Sequence, residues 1–456
     1  MSHKRNLTKT DLTDGNYKQQ LLRFALPFLG ANMLQALYGA TDLFVVGKFN
    51  GASAISAVNI GSQIMQIITC FIIGCAMGST VLIGQHIGAK NKKEASHSLG
   101  NTLIFFICLA LVLTPLMIIL SPKIITLMNT PAEAVDETLK YTMICSIGIP
   151  FITAFNVSAA VLRGTGDSKT PLIIVAIACV INIAGDFVLT GALGMDTAGV
   201  AIATTSAQLI SSICGIILIR HHGLPFTFSI KDMAPSKTIL KKIAAIGLPI
   251  AAQDTLINIS FIILTVIANG RGLIASSAVG VVEKIIMFMF MVPSAMLSAI
   301  SAFTAHNIGA GKQHRAVCAL RFGIIVTVSF GAVMGALSWI CPQVFTAIFS
   351  SDTAVLIQAG EYLKTYSIDC ILVGFTFCIN GYLCGCEKST ITFLHNVISI
   401  FLVRIPMAWL LSRSFPESLL PMGLASPMGS LMSIFILAIY FLIIKNNKVR
   451  KNVHSI

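Results

Sequence analysis

Five acidic residues lie inside long apolar stretches of the chain: Asp42, Asp186, Asp254, Glu283 and Asp369. A charged side chain at a bilayer centre costs about 2.5–3.5 kcal/mol on insertion scales, so acids in such places are candidates for handling ions or protons. Asp42 sits about five residues before the C-terminal end of its stretch and Asp186 about six before the end of another, which at about 1.5 Å per residue puts both at similar depth. Asn182, four residues before Asp186, shares its helix face. Thr204 lies about eight residues into the next stretch, at a matching level. Two carboxyls with amide and hydroxyl oxygens either hold a hard monovalent cation or share a proton, because close like charges resist joint ionisation. The plainer alternative is that Asp42 and Asp186 are buried, hydrogen-bonded structural groups.

The elements that must carry these residues are membrane helices. Of 456 residues, 55% are hydrophobic and 11% charged, too little polar surface to cover a water-soluble particle of this size. Twelve apolar runs reach the roughly 20 residues a helix needs to cross the hydrocarbon core: 21–47, 54–83, 97–121, 138–162, 170–192, 197–219, 243–268, 275–304, 318–342, 360–383, 390–411 and 422–444. Gly and Pro inside them are tolerated in membranes, where neighbouring helices satisfy freed backbone groups. The polar first twenty residues lack the apolar core of a signal peptide. Most of the 31 Lys and Arg fall in alternate loops and in the tails, whereas the opposite loops hold only Lys48, Lys123, Lys140, Arg271, Lys364 and Arg413. Both termini are therefore expected in the cytoplasm. The net charge of +13 reads as an insertion signal with anionic-lipid contact rather than as nucleic-acid binding. Most of the twelve Cys lie within the apolar runs as small hydrophobes, and the Cys384–Cys386 pair lacks the second Cys/His pair a metal site needs.

The chain also repeats itself. A shift of 221 residues lays Ala57-Val58 on Ala278-Val279 and Ile87-Gly88-Ala89 on Ile308-Gly309-Ala310. At 222, Leu26-Pro27 meets Leu248-Pro249, and at 224, Gly199 and Ala201 meet Gly423 and Ala425. Matches that keep chain order indicate a duplicated six-helix unit. Six is even, so both copies enter from one side and are related by an axis along the membrane normal. The expected organisation is a tail 1–20, a first lobe 21–220, a basic linker 221–242, a second lobe 243–444 and a tail 445–456.

Six strings now carry a resemblance: LPFLGANMLQALYGATDLFVVG, GQHIGAKNKKEA, LRGTGDSKTP, NIAGD, LPIAAQD and AHNIGAGKQHRA. Together, over nearly the whole chain, the sequence resembles the multidrug and toxic compound extrusion (MATE) transporters. The resemblance implies an all-α polytopic membrane protein, a V-shaped pair of pseudo-symmetric six-helix lobes. It would export amphipathic or cationic organic compounds in exchange for Na⁺ or H⁺ by alternating access. It further implies that Asp42, Asn182, Asp186 and Thr204 form the coupling-ion site, with Asp42, Asn182 and Asp186 as metal ligands if the ion is Na⁺. Tyr38, Tyr141 and Asn156 fall where the family has polar residues near that pocket. In the second lobe, Asp254 and Asp369 stand about one helical turn from Ile257 and Val373, where the family's acids would fall.

Other residues are less telling. Glu283 adjoins Lys284 and is expected to be partly neutralised by it, and Arg404 is a candidate counter-ion for Asp369 or Glu283. Pro27 removes a backbone donor from the first helix and can kink it. Met287, Met289, Met291 and Met296 offer either an adaptable substrate wall or ordinary packing. No G-x-x-x-x-G-K-[ST] string occurs, so an ion gradient must supply the energy. The remaining alternative is a lipid-linked oligosaccharide flippase of the same superfamily, whose pyrophosphate cargo calls for cationic lining where this chain has mostly acids. A membrane enzyme is disfavoured because the nine His lie mainly in loops without a spacing such as H-E-x-x-H. No cofactor is expected beyond the coupling ion. The expected partners are small-molecule drugs and membrane lipid, without nucleic acid, and the expected form is a monomer in the cell (inner) membrane.

Overall fold

The computed structural model of the chain describes residues 11–453; the first ten residues of the N-terminal tail and the last three of the C-terminal tail lie outside them. All regular elements among the described residues are helical. The first half holds α1 (Tyr17–Phe49), α2 (Ala52–Gly88), α3 (Lys92–Leu127), α4 (Val135–Ile147), α5 (Ile149–Gly164), α6 (Lys169–Asp186) and α7 (Asp196–His222). The second holds α8 (Lys237–Asn269), α9 (Leu273–Gly309), α10 (Gln313–Ile340), α11 (Pro342–Thr346), α12 (Thr353–Tyr366), α13 (Asp369–Gly385), α14 (Ser389–Ser399), α15 (Ile405–Ser414), α16 (Leu420–Gly423) and α17 (Ala425–Val453). Nine described helices are long and apolar enough to cross a membrane, and eleven if each of two bent pairs counts as one span. The 33-residue α1 is also long enough, but Asn32, Gln35, Tyr38, Thr41 and Asp42 dilute its apolar character. With it, the helices match the twelve expected runs.

Side-chain chemistry explains where the helices start and break. Asn16 and Asn91 cap α1 and α3, accepting from the amides of Lys18 and Glu94. The α4–α5 pair bends by 49°. Pro150 there removes a backbone donor, and Gly148 lets α7 approach so closely that a Cβ would lie 2.7 Å from Thr205 Cγ2. The α12–α13 pair bends by 46° without a proline. At that break the Ser367 hydroxyl donates to the Lys364 and Gly335 carbonyls, competing with the helix ladder. The fifth span of each half carries a π-helical segment, Phe187–Ala192 after α6 and Ile400–Arg404 between α14 and α15.

The chain separates into two compact units. Unit 1 comprises Met1–Ala251, Ser301–Ala316 and Gly385–Glu387; unit 2 comprises Ala252–Ile300, Val317–Cys384 and Lys388–Ile456. In unit 1, α6 packs on α1 and α7, and α2 on α4 and α5, around a core that includes Val58, Ile72, Phe106 and Val161. In unit 2, α12 packs on α16 and α14 on α17, and the core includes Val279, Val282, Tyr362 and Tyr366. Large apolar side chains such as Leu26, Leu111, Val180 and Phe435 stand at least 60% exposed, as faces meant for lipid do. None of the twelve Cys forms a disulfide. The methionine run divides: Met289 and Met296 are buried while Met287 is exposed, so it makes no continuous wall.

Two features of unit 1 hold the ends of helices together. A Cβ on Gly88 of α2 would fall 2.0 Å from the His306 carbonyl oxygen on α9, and one on Gly309 would fall 2.0 Å from that of Gln85. His306 and Gly309 are Gln85 and Gly88 shifted by 221 residues, so this bare-backbone crossing is isologous. Separately, residues Leu12–Gly15 form a strap over the end of α9 and the start of α10. The Leu12 carbonyl accepts from Asn307 Nδ2 at 3.0 Å, the Thr13 carbonyl from Lys312 Nζ at 2.8 Å and the Gly15 carbonyl from Arg315 Nη1 at 2.6 Å. Leu12 is fully buried and Gly15 has φ +77°.

Candidate cation site

Helices α1, α6 and α7 enclose a small cavity in unit 1, lined by Tyr38, Ala178, Asn182, Thr204, Ala207 and Gln208. The π-helical turn begins directly after Asp186, and such turns recur at functional sites because they re-aim side chains within a continuous helix. Asn182 Nδ2 donates to Thr204 Oγ1 at 3.2 Å, and Thr204 Oγ1 donates to Asp42 Oδ2 at 3.5 Å. The Asp42 and Asp186 carboxyls are electrostatic neighbours, with Asn182 and Thr204 beside Asp42. Asp42, Asn182 and Asp186 are 4%, 1% and 0% exposed.

The unpaired atoms show what this arrangement lacks. Asp42 Oδ1, Asn182 Oδ1 and both carboxyl oxygens of Asp186 are buried without a donor. A buried acceptor left unpaired costs about 1–3 kcal/mol, and more when charged. Two carboxylates cannot donate to each other, and the chemistry that satisfies such oxygens is a proton shared between the carboxyls, a water, or a cation taking them as ligands. Carboxyl, amide and hydroxyl oxygens suit a hard cation. Among the described residues no group of three His, Cys, Asp or Glu could hold a metal ion.

Tyr38 lines the cavity and Tyr141 is an electrostatic neighbour of Asp42. Tyr141 is fixed against α2 by a 3.1 Å hydrogen bond with Ser62 and by Gly61, whose Cβ would lie 2.3 Å from the ring. Asn156, buried in α5, donates back to the Ile152 carbonyl of its own helix at 2.8 Å. Gln208 was missed by sequence reasoning. It lines the cavity with Oε1 buried and unpaired, and its position four residues after Thr204 was the available signal.

The second-half acids belong to unit 2. Glu283 Oε1 accepts from Thr265 Oγ1 at 3.0 Å and has Arg404 as an electrostatic neighbour. The expected pairing with Lys284 does not form: Lys284 is exposed while Glu283 faces α8, because adjacent helical positions point about 100° apart. Asp369 is 4% exposed, hydrogen-bonds Ser430 and also neighbours Arg404. Asp254 is separate from this group, with Gln253 as its side-chain partner.

The MatE family model matches this chain twice, over residues 27–188 and 249–410. The chain belongs to the MatE family. The two MatE matches start and end 222 residues apart, which agrees with the internal repeat. Among relatives, the chain is 28% identical over 429 residues to the probable multidrug resistance protein YoeA of Bacillus subtilis (strain 168), covering 92% of each chain. It is 24% identical over 412 residues to the probable multidrug resistance protein NorM of Thermotoga maritima, covering 88% of this chain and 87% of that one. The fold matches a MOP superfamily transporter from Pyrococcus furiosus with a TM-score of 0.88 at 20% identity, over 96% of this chain and 98% of that one. An outward-facing multidrug resistance MATE family transporter of the same superfamily also matches at 0.88. These relatives are membrane transporters, not enzymes, and the chain is a multi-pass membrane protein of their family.

Proposed function

We propose that the protein is a secondary multidrug exporter. It moves amphipathic or cationic organic compounds out of the cell by alternating access in exchange for Na⁺ or H⁺ bound at Asp42 and Asp186. The observation that carries this reading is the burial of two neighbouring carboxyls where three carboxyl oxygens and the Asn182 amide oxygen have no protein donor, a donor set suited to a shared proton or a cation. Asn182 and Thr204 orient the Asp42 carboxylate, and a cation held there uses Asp42, Asn182 and Asp186 as ligands. Tyr38, Tyr141 and Gln208 wall the site.

Loading and release of the ion change the charge of α1 against α6, and that change is the link to cargo movement. The basic alternate loops support cytoplasmic termini, and the cell membrane is the proposed location. Multidrug resistance relatives support a small-molecule cargo. The flippase alternative has less support, because the charged groups beside the first-unit cavity are the acids Asp42 and Asp186 rather than a cation for pyrophosphate.

Dye efflux from proteoliposomes, with Na⁺ and H⁺ gradients imposed separately, tests the proposal. Asp42→Asn is expected to abolish gradient-driven efflux while the protein still inserts and runs as a monodisperse species. Full efflux by Asp42→Asn under both gradients would overturn the ion-site assignment.

A further inference from the structure

The internal repeat gives the Asp42–Asp186 site a counterpart in unit 2, and the chemistry there is inverted. At the 222-residue offset Asn182 corresponds to Arg404, Asp42 to Leu264 and Asp186 to Ala408. At 221, Tyr141 corresponds to Tyr362, Ser62 to Glu283 and Gly148 to Asp369. The coupling acids are therefore absent from the second copy. A guanidinium stands at the amide position, and two new acids stand on the neighbouring helices.

The contacts of Arg404 follow that equivalence. Asn182 faces α1 and α7; Arg404 faces their repeat partners, with its guanidinium 4.5 Å from the Phe261 ring centroid on α8 and its Cβ against Gly429 on α17. Arg404 Nη2 donates to the Tyr366 hydroxyl at 3.0 Å. Glu283 and Asp369 are both its electrostatic neighbours, with no N–O contact inside 4.0 Å to either among the described residues. The guanidinium thus lies among the acids without being clamped to one of them. It is held by cation–π and phenol contacts, which keep a charge in place without neutralising it. The charged and titratable groups around this centre are Glu283 from α9, Tyr362 and Tyr366 from α12, and Asp369 from α13.

We infer that Arg404 is a tethered cation, occupying in the second repeat the place that the exchangeable ion takes in the first. It sets one permanent positive charge against the Glu283–Asp369 pair, as the exchangeable ion does against Asp42–Asp186, so this pair neither binds Na⁺ nor cycles a proton. The transporter then loads its coupling ion in one repeat only. Removing the guanidinium leaves two buried acids without a counter-charge, and they recruit a cation from solution. The inference rests on reading Asp42–Asp186 as the exchangeable-ion site.

The experiment measures ²²Na⁺ binding and, in parallel, proton uptake by purified protein in lightly buffered detergent. Arg404→Gln is expected to double the cation or proton count per chain over the parent, and Arg404→Lys, which keeps the charge, to leave it unchanged. Asp42→Asn alone is expected to lose the single site. Adding Arg404→Gln to it restores binding, and adding Glu283→Gln removes binding again. If Asp42→Asn binds like the parent while Arg404→Gln still adds a cation, the first-unit reading fails and the role of Arg404 stands. If Arg404→Gln adds neither Na⁺ nor a proton in either background, the inference is overturned. Should Arg404→Gln fail to fold, the Glu283→Gln/Asp369→Asn double variant decides: an unchanged cation count supports the inference and a reduced one overturns it.

Discussion

Thr204 joins the two polar helices of the cation site, accepting from Asn182 and donating to Asp42. A single such hydroxyl contributes about 1 kcal/mol net, and more beside a charge. Thr204→Val preserves shape and removes the oxygen, so cation affinity is expected to fall about fivefold to tenfold, roughly 1–1.4 kcal/mol. Isothermal titration or the cation dependence of dye efflux reads that shift. An unchanged affinity would mean that Thr204 serves packing alone. Gln208 belongs to the same scale: its unpaired oxygen makes it a further wall residue whose contribution the same titration resolves.

Among the elements, the linker after α7 is fastened to α3 by a small acid cluster. Asp232 accepts from the Ser229 amide and the Ser96 hydroxyl, both at 2.8 Å, and faces His97 at 3.9 Å. The Ser229 amide and Ser96 hydroxyl, with lesser help from His97 and Lys93, hold this carboxyl below the usual carboxylate range against a small opposing effect of burial. A depressed acid stabilises the docked linker above its ordinary pKa, and that contribution is lost as pH falls through the depressed value. The protection factor of the Ser229 amide and its neighbours, the intrinsic exchange rate divided by the observed one, is therefore expected to fall at acid pH, below the carboxylate range, and Asp232→Asn to show the lower protection already at neutral pH. A protection factor that is flat across that range would deny Asp232 this role.

Much at this scale was legible in the sequence. Apolar length placed the spans, and the four-residue spacing of Asn182 and Asp186 with the matched depth of Asp42 brought the site together. The bend at Ser367 was not legible, because a serine competing for a carbonyl leaves no breaker signature. Nor was the burial of Asn156 in its own helix, which depends on which face meets α2 and α7. Adjacency suggested a Glu283–Lys284 pair, but helical geometry separates neighbours in sequence and joins Glu283 to Thr265, eighteen residues earlier on α8.

On the scale of the whole molecule, duplication shows twice: conserved in form at the glycine crossing and inverted in charge at the two polar centres. The crossing makes a sharp prediction. A methyl on Gly88 or Gly309 meets backbone rather than a flexible side chain, so each Ala variant is expected to cost about 1–3 kcal/mol. Both variants push apart the same two helices, so the double variant is expected to cost less than the sum. Thermal unfolding in detergent reads this, and strictly additive shifts would show that the two contacts open independently.

The strap over α9 and α10 has a consequence for engineering. Its partners Asn307, Lys312 and Arg315 grip main-chain carbonyls, so what they recognise is the path of the segment and not the identity of its side chains. Leu12, through burial, and Gly15, through its left-handed backbone, are the positions where identity counts. Thr13 and Asp14 meet Lys312 and Arg315 through their carbonyls while their side chains bond locally, to Asp11 and the Gly15 amide, so a label attached at either side chain would give up one of those local bonds and leave the main-chain grip for it to report on.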